Sequence, residues 1–295
     1  KYYYGFRAAL TESGEFDKSF GIDGTIRSDN SVRKAVGITP VVDHHILTIF
    51  DPEKTSNLVT CMMYDTTSGL RRLIQSLVSK FDLLLFSMDT DSIGRIYVLG
   101  KAASSSNLCV IRLQPNGKID PSFADNGVKI IEVYEHSVFP NEIRVRDEYF
   151  YVQGRVTSGR GIFLSKHTLD GRRTFGSENV SIYQFRGNPI VTCMAISRYG
   201  DIYLCGHQSI NDCRSDVFIT AIDQDGFVKK GFGWHLHSVH ADSGVVLYNE
   251  FDNASENILY KCYPSDILIS PKDELFFCGT RYAPRSGCKS ALANN

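Results

Sequence analysis

Ile96-Tyr-Val-Leu-Gly100, Leu108-Cys-Val-Ile-Arg-Leu113, Asn116-Gly117-Lys-Ile-Asp120-Pro-Ser-Phe123 and Asn126-Gly127 follow one another closely, and this order of short runs decides the fold. The two apolar runs are rich in β-branched and aromatic side chains, which suit half-buried strands. Asn-Gly supplies the positive φ that a hairpin turn needs. The same order recurs as Phe150-Tyr-Val-Gln-Gly154, Ile162-Phe-Leu-Ser-Lys166, Asp170-Gly171 and Phe175-Gly176. It recurs again as Ile202-Tyr-Leu-Cys-Gly206, Val217-Phe-Ile-Thr-Ala221, Asp225-Gly226 and Phe232-Gly233. A further copy opens with Leu275-Phe-Phe-Cys-Gly279 and continues to Cys288 and Leu292. The N-terminus carries the later half, Phe6 to Leu10, Ser13-Gly14, Asp17, Phe20-Gly21 and Asp23-Gly24. Ile46–Ile49 and Leu58–Tyr64 form a degenerate copy with Ser68-Gly69.

The strand-end glycines Gly100, Gly154 and Gly206 lie 54 and 52 residues apart, and Gly279 follows after 73, which places an insertion at about 240–262. Four strands of about five residues plus their turns fill such a period, which is the size of a propeller blade. One such sheet cannot bury both faces alone, so copies must stack. The expectation is a single all-β domain over 1–295, a β-propeller of four-stranded antiparallel blades. Plug positions at Phe20, near Leu73, and at Phe123, Phe175 and Phe232 favour five blades, with the termini sharing one. Six blades or an incompletely closed ring are the other readings, since Phe6–Leu10 and Cys288–Leu292 both match the third strand. Asp17 and Asp120 are expected to cap turns.

Arg112-Leu-Gln-Pro-Asn-Gly-Lys-Ile-Asp-Pro-Ser-Phe123 with Asn126-Gly127 resembles the bacterial delta-60 repeat, a β-propeller repeat family of uncharacterised function. Ser13 to Gly24 matches it about as well, whereas the copies at Gly171 and Gly226 lack the turn Asp. The resemblance implies a fold, and a bacterial secreted or cell-surface setting, but carries no catalytic motif.

Lys and Arg number 32 against 33 Asp and Glu, so no long-range field would draw in nucleic acid. No apolar run is long enough for a membrane span. Eight cysteines contain no C-x-x-C pair. Cys205 with Cys213, and Cys278 with Cys288, each flank one hairpin and are either staples or small buried hydrophobes.

The aligned Pro140-Asn-Glu142 and Pro264-Ser-Asp266 start strands that would line a propeller channel. With Asp43, next to His44 and His45, these carboxylates are the candidate acid/base set of a glycoside-active enzyme. The opposing reading is that each caps its own turn. Trp234, His235, His237, His240 and Asp242 form a candidate partner contact, in which His235 and His237 share a strand face and are candidate metal ligands. Asp89 and Asp91 are placed in a hairpin turn. No complete catalytic set or cofactor motif stands apart from the repeat. The leading expectation is therefore a non-enzymatic binding module meeting a protein or carbohydrate partner at a loop face. A glycoside-active enzyme and an architectural repeat of a larger surface protein are the alternatives.

Overall fold

The computed structural model describes residues 6–20, 22–27, 35–41, 45–50, 58–65, 71–77, 83–102, 107–133, 137–157, 161–174, 180–185, 187, 189–211, 214–233, 244–248 and 261–282. These residues contain strands and no helix. No helix among them is long and apolar enough to cross a membrane.

The strands fall into sets of four along the chain. A leading pair, β1 (Phe6–Ala8) and β2 (Thr25–Arg27), comes first. The first full sheet is β3 (Ala35–Val41), β4 (His45–Phe50), β5 (Leu58–Asp65) and β6 (Arg71–Leu77). The second is β7 (Leu83–Thr90), β8 (Ile96–Ala102), β9 (Leu108–Leu113) and β10 (Val128–Ile131). The third is β11 (Val138–Arg146), β12 (Tyr149–Val156), β13 (Ile162–Thr168) and β14 (Ser181–Tyr183). The fourth is β15 (Ile190–Ile196), β16 (Ile202–Asn211), β17 (Arg214–Ile222) and β18 (Val245–Tyr248). A closing pair, β19 (Lys261–Ile269) and β20 (Leu275–Tyr282), touches the fourth sheet through one parallel bridge, Ser215 to Lys261. Every full sheet is paired in sequence order, as a meander.

The chain divides into two compact units, and the division passes through the third sheet. The first unit holds residues 1–133, 143–150 and 167–172; the second holds 134–142, 151–166 and 173–295.

The motif residues build the turn between third and fourth strands. Gly117 adopts φ 79°, and Gln114 N–H bonds Lys118 O at 2.8 Å to close the tip. Asp120 Oδ1 accepts from the Ser122 amide and hydroxyl at 3.1 and 2.6 Å. Asp17 does the same to Ser19, at 3.0 and 2.6 Å, so both aspartates cap turns as expected. The amides of Asp17, Asp120, Thr174 and Lys229 bond back to Ala9 O, Arg112 O, Lys166 O and Ala221 O. By these bonds β1 and β2 are a third and a fourth strand of the repeat.

In the first unit Phe123 is the plug. It is fully buried and meets Tyr97 of β8 edge-on at 5.9 Å and Phe150 of β12 at 6.2 Å, so it closes the seam between consecutive sheets. Arg112 on β9 completes the seam. It bonds Asp120 Oδ2 at 2.8 Å, Ser122 Oγ at 2.9 Å and Leu169 O, in the next sheet's turn, at 2.7 Å. Its guanidinium lies 4.7 Å from the Phe123 ring centroid. Burial alone would raise the Asp120 carboxyl, but Ser122 and Arg112 outweigh it and hold the group below its ordinary value.

The second unit repeats this seam. Lys166 occupies the position of Arg112, sits over the Tyr151 ring, and reaches Gln224 O at 3.1 Å. Gln224 precedes Asp225-Gly226 as Leu169 precedes Asp170-Gly171, so both cations seek the same carbonyl of the next turn. Phe232 meets Tyr203 at 5.6 Å and packs on a core that includes Ile267, Ile269 and Leu275.

Two expectations change. Leu73 lies inside β6, not in the loop where a plug belongs, and the loop before it, with Ser68-Gly69, lies outside the described residues. Val245–Tyr248 complete the fourth sheet and fall inside the span expected for the insertion, whose remaining residues, apart from Gly244 and Lys261–Cys262, lie outside the described ones. Asp89 lies within β7, and only Asp91 belongs to the turn. Phe175 and Cys288 to Leu292 lie outside the described residues.

Candidate functional site

The first strands carry no repeat motif, and in β3, β7, β15 and β19 the geometry comes from a bulge. Register shifts fall between Ala35 and Gly37, Leu85 and Ser87, Val191 and Cys193, and Pro264 and Asp266. A bulge adds one unpaired residue and re-aims its neighbours. It also explains the strand-end glycines. A Cβ on Gly206 or Gly279 would strike Ile190 O or Tyr263 O, each just before the irregular stretch of its first strand, and one on Gly154 would strike Phe139 O of β11.

Side chains at and beyond the bulge join successive first strands. Within the first unit, Thr39 of β3 meets Thr90 of β7 at 3.5 Å between hydroxyls. The Ile143 amide of β11 donates to Ser87 Oγ at 3.3 Å, and the Val145 amide donates to Asp89 Oδ2 at 2.7 Å. Within the second unit, Asn141 Nδ2 donates to Thr192 O at 2.6 Å, and Thr192 Oγ1 donates to Pro264 O at 2.8 Å. The first strands therefore lie side by side in the order β3, β7, β11 in one unit and β11, β15, β19 in the other.

Ser87, Cys193 and Asp266 hold the same position beyond their bulges, and Pro140-Asn-Glu142 aligned with Pro264-Ser-Asp266 puts Glu142 there too. In the second unit Glu142 and Asp266 both bear electrostatically on Cys193 and oppose its ionisation. One carboxylate comes from β11, the other from β19, and the thiol from β15 between them. Asp266 Oδ1 accepts the amide of its neighbour Ile267 at 2.9 Å, and the residue is exposed. Glu142 Oε2 is buried. Asn141 and Thr192 border this group. Such a set offers hydrogen-bond acceptors and donors to a hydroxyl- or amide-bearing ligand.

Asp89 belongs to the same class of position in the first unit. Burial raises its carboxyl above the ordinary value, against the amides of Val145 and Thr90 and the charge of Arg144, which lower it. Sequence reasoning missed it by assigning it to the turn. The alternation Ser87-x-Asp89 along one strand face was the available signal.

Asp43 and the segment with Trp234, His235, His237, His240 and Asp242 lie outside the described residues. Cys213 and Cys288 lie outside them too, and Cys205 stands opposite Cys193 in the β15–β16 register.

No family model matches the chain, and no curated protein matches it. Solved structures do. YCF48 bound to a D1 peptide aligns with a TM-score of 0.43 and 10% identity over 84% of this chain and 60% of that one. Kuenenia stuttgartiensis hydrazine synthase aligns with a TM-score of 0.45 and 13% identity over 82% and 69%. A GH43 β-1,3-galactosidase with galactodeoxynojirimycin aligns with a TM-score of 0.38 and 9% identity over 81% and 73%. The chain thus spans about three fifths of the first of these structures. The fold described above rests on the strands and their pairing, not on likenesses of this strength.

Proposed function

We propose that the chain is a five-bladed β-propeller whose ends share the fifth blade, and that it is a binding module for a protein or carbohydrate partner. Two features support the ring. The bulge and Gly279 mark β19 and β20 as first and second strands, and the turn bonds mark β1 and β2 as third and fourth. Both pairs also expose apolar side chains that a shared blade would cover: Leu10, Phe16 and Ile22 at one end, Leu268, Phe276 and Phe277 at the other. Hydrogen exchange tests this closure. Removing residues 1–27 should deprotect the amides of Leu275–Tyr282 by at least tenfold and leave those of Ile96–Leu113 unchanged. Equal protection of Leu275–Tyr282 in both chains would exclude it.

The observation that carries the binding reading is the division of labour among polar groups. Arg112, Asp120, Ser122 and Lys166 are consumed in turns and seams, whereas Asn141, Glu142, Thr192 and Asp266 gather on first strands without belonging to the repeat motif. In a propeller those strands line the axis, where ligands are met. Trp234, His235, His237, His240 and Asp242, which fall between β17 and β18 in the sequence, are proposed as a further partner contact. A glycan array and a displayed peptide library, probed with the protein and with the Glu142→Gln, Asp266→Asn double variant, test the assignment. Affinity for the selected glycan or peptide should fall at least tenfold in the variant. Undiminished affinity would remove the first-strand group from the reading.

A glycoside-active enzyme is the second reading, favoured by two carboxylates converging on one thiol. It requires turnover of chromogenic glycosides that Glu142→Gln abolishes; the binding module gives none.

A further inference from the structure

Cys193 and Cys205 are direct partners in the antiparallel ladder of β15 and β16. Residues so opposed have Cα atoms about 4.5–5.5 Å apart. A disulfide spans Cα separations of about 4.4–6.8 Å. No other pair among the described cysteines stands opposite in neighbouring strands: Cys61 faces Ile49 and Ile74, Cys109 faces Gly100 and Ile130, Cys262 faces Arg281, and Cys278 faces Asp266.

The surroundings distinguish the pair further. The Cys193 thiol reaches the Cys205 carbonyl at 3.8 Å, and the Cys205 side chain beside it holds the Cys193 group below its ordinary value. The Thr192 hydroxyl lies 3.6 Å from the Cys193 sulfur. Cys205 is raised, because its neighbour Cys193 and burial both favour its protonated form. Cys61 and Cys109, in an apolar core, are pushed up to about 12 by burial, and neither stands opposite a thiol among the described residues.

We propose that Cys193 and Cys205 are a redox-active dithiol that closes to a cross-strand disulfide by exchange with a small-molecule disulfide. The Cys193 thiol loses its proton to solvent, and its sulfur attacks one sulfur of the small disulfide, breaks its S–S bond and releases one small thiolate, which takes up a proton, leaving a mixed disulfide on Cys193. Cys205 then loses its proton to solvent, and its sulfur attacks that of Cys193 and expels the second small thiolate. Two protein thiols are oxidised by two electrons, and the small disulfide is reduced to two thiols. Both cysteines are buried, so the first attack follows local opening of the strand pair. The bulge at Thr192 is the natural place for that opening.

The pair sits where β15 is joined to its neighbours. Thr192 receives Asn141 from β11 and donates to Pro264 of β19, and Glu142 and Asp266 flank Cys193. Closing the disulfide would pin the bulge and with it the spacing of the two carboxylates.

The test uses the whole folded chain and glutathione disulfide as the probe. After incubation the protein is denatured, alkylated, digested and mapped by mass. The peptides bearing Cys193 and Cys205 should appear joined, about 2 Da lighter than their summed reduced masses, and should separate on reduction. Cys193→Ala, treated alike, should leave Cys205 alkylated. Recovery of both wild-type peptides in alkylated form would overturn the proposal. So would Cys205 joined to Cys213.

Discussion

Arg112→Met is expected to destabilise the fold by about 3–5 kcal/mol, the cost typical of removing one partner of a buried ion pair. The side chains of Arg112 and Asp120 are only 4% and 9% exposed, so little water is at hand to replace the lost charge. Three acceptors lose their donor at once: Asp120 Oδ2, Ser122 Oγ and Leu169 O. The guanidinium also leaves the Phe123 face, opening the seam plug to solvent. Arg112→Lys should recover only part of the loss, because one ammonium cannot reproduce a fork aimed at three acceptors. Lys166→Met should cost roughly 1 kcal/mol, since the ammonium bonds a neutral carbonyl at Gln224 rather than a buried carboxylate, and burial already lowers its affinity for a proton. Urea unfolding gives all three values. An Arg112→Met protein within 1 kcal/mol of wild type, or a larger loss at Lys166, would mean that the seam is held by its aromatic contacts alone.

The second large effect is expected at a glycine. Gly206→Ala should destabilise by about 3 kcal/mol, the upper end for overpacking a tight interior. The new Cβ would strike Ile190 O and lie 2.7 Å from the Val191 Cα, and both are backbone atoms of an adjoining strand that cannot swing aside. Gly100→Ala should cost about 1 kcal/mol. Its Cβ would meet the Cys109 sulfur at 2.9 Å and Leu84 O at 3.3 Å, and a side-chain sulfur can turn away. The two unfolding midpoints, compared directly, decide the matter. Equal costs would show that these glycines are retained for flexibility rather than for space.

The strand order, the turn caps and the Phe123 plug were legible because each depends on neighbours in sequence. Asn116-Gly117 and Asp120 act on backbone within a few residues. The seam cation was not legible, although its trace was present: Arg112 and Lys166 each stand five residues before the turn glycine, Gly117 or Gly171. Their target, the carbonyl before the next turn's Gly pair, lies 57 or 58 residues away and has no side-chain signature. First strands were the hardest to read because a bulge shifts register without a motif. That shift moved Asp89 from turn to strand and set Cys205 opposite Cys193, where hairpin spacing had suggested Cys213. Glu142 and Asp266 were found by aligning Pro140-Asn-Glu142 with Pro264-Ser-Asp266, and their shared bearing on Cys193 required the neighbouring strand.

The joints between first strands bear on how such a chain can change over time. Apart from the Thr39–Thr90 hydroxyl contact, each joint has a main-chain atom on one side, while the other side is variously a serine, an aspartate, an asparagine or a threonine. A main-chain atom survives any substitution except, for an amide, proline. The receiving strand is therefore free to mutate without losing the bond, and each joint can exchange its polar group independently of the rest. Copies of the unit can consequently diverge until their first strands share no recognisable residues, and lineages of such chains can explore new axial chemistry without dismantling the assembly that presents it.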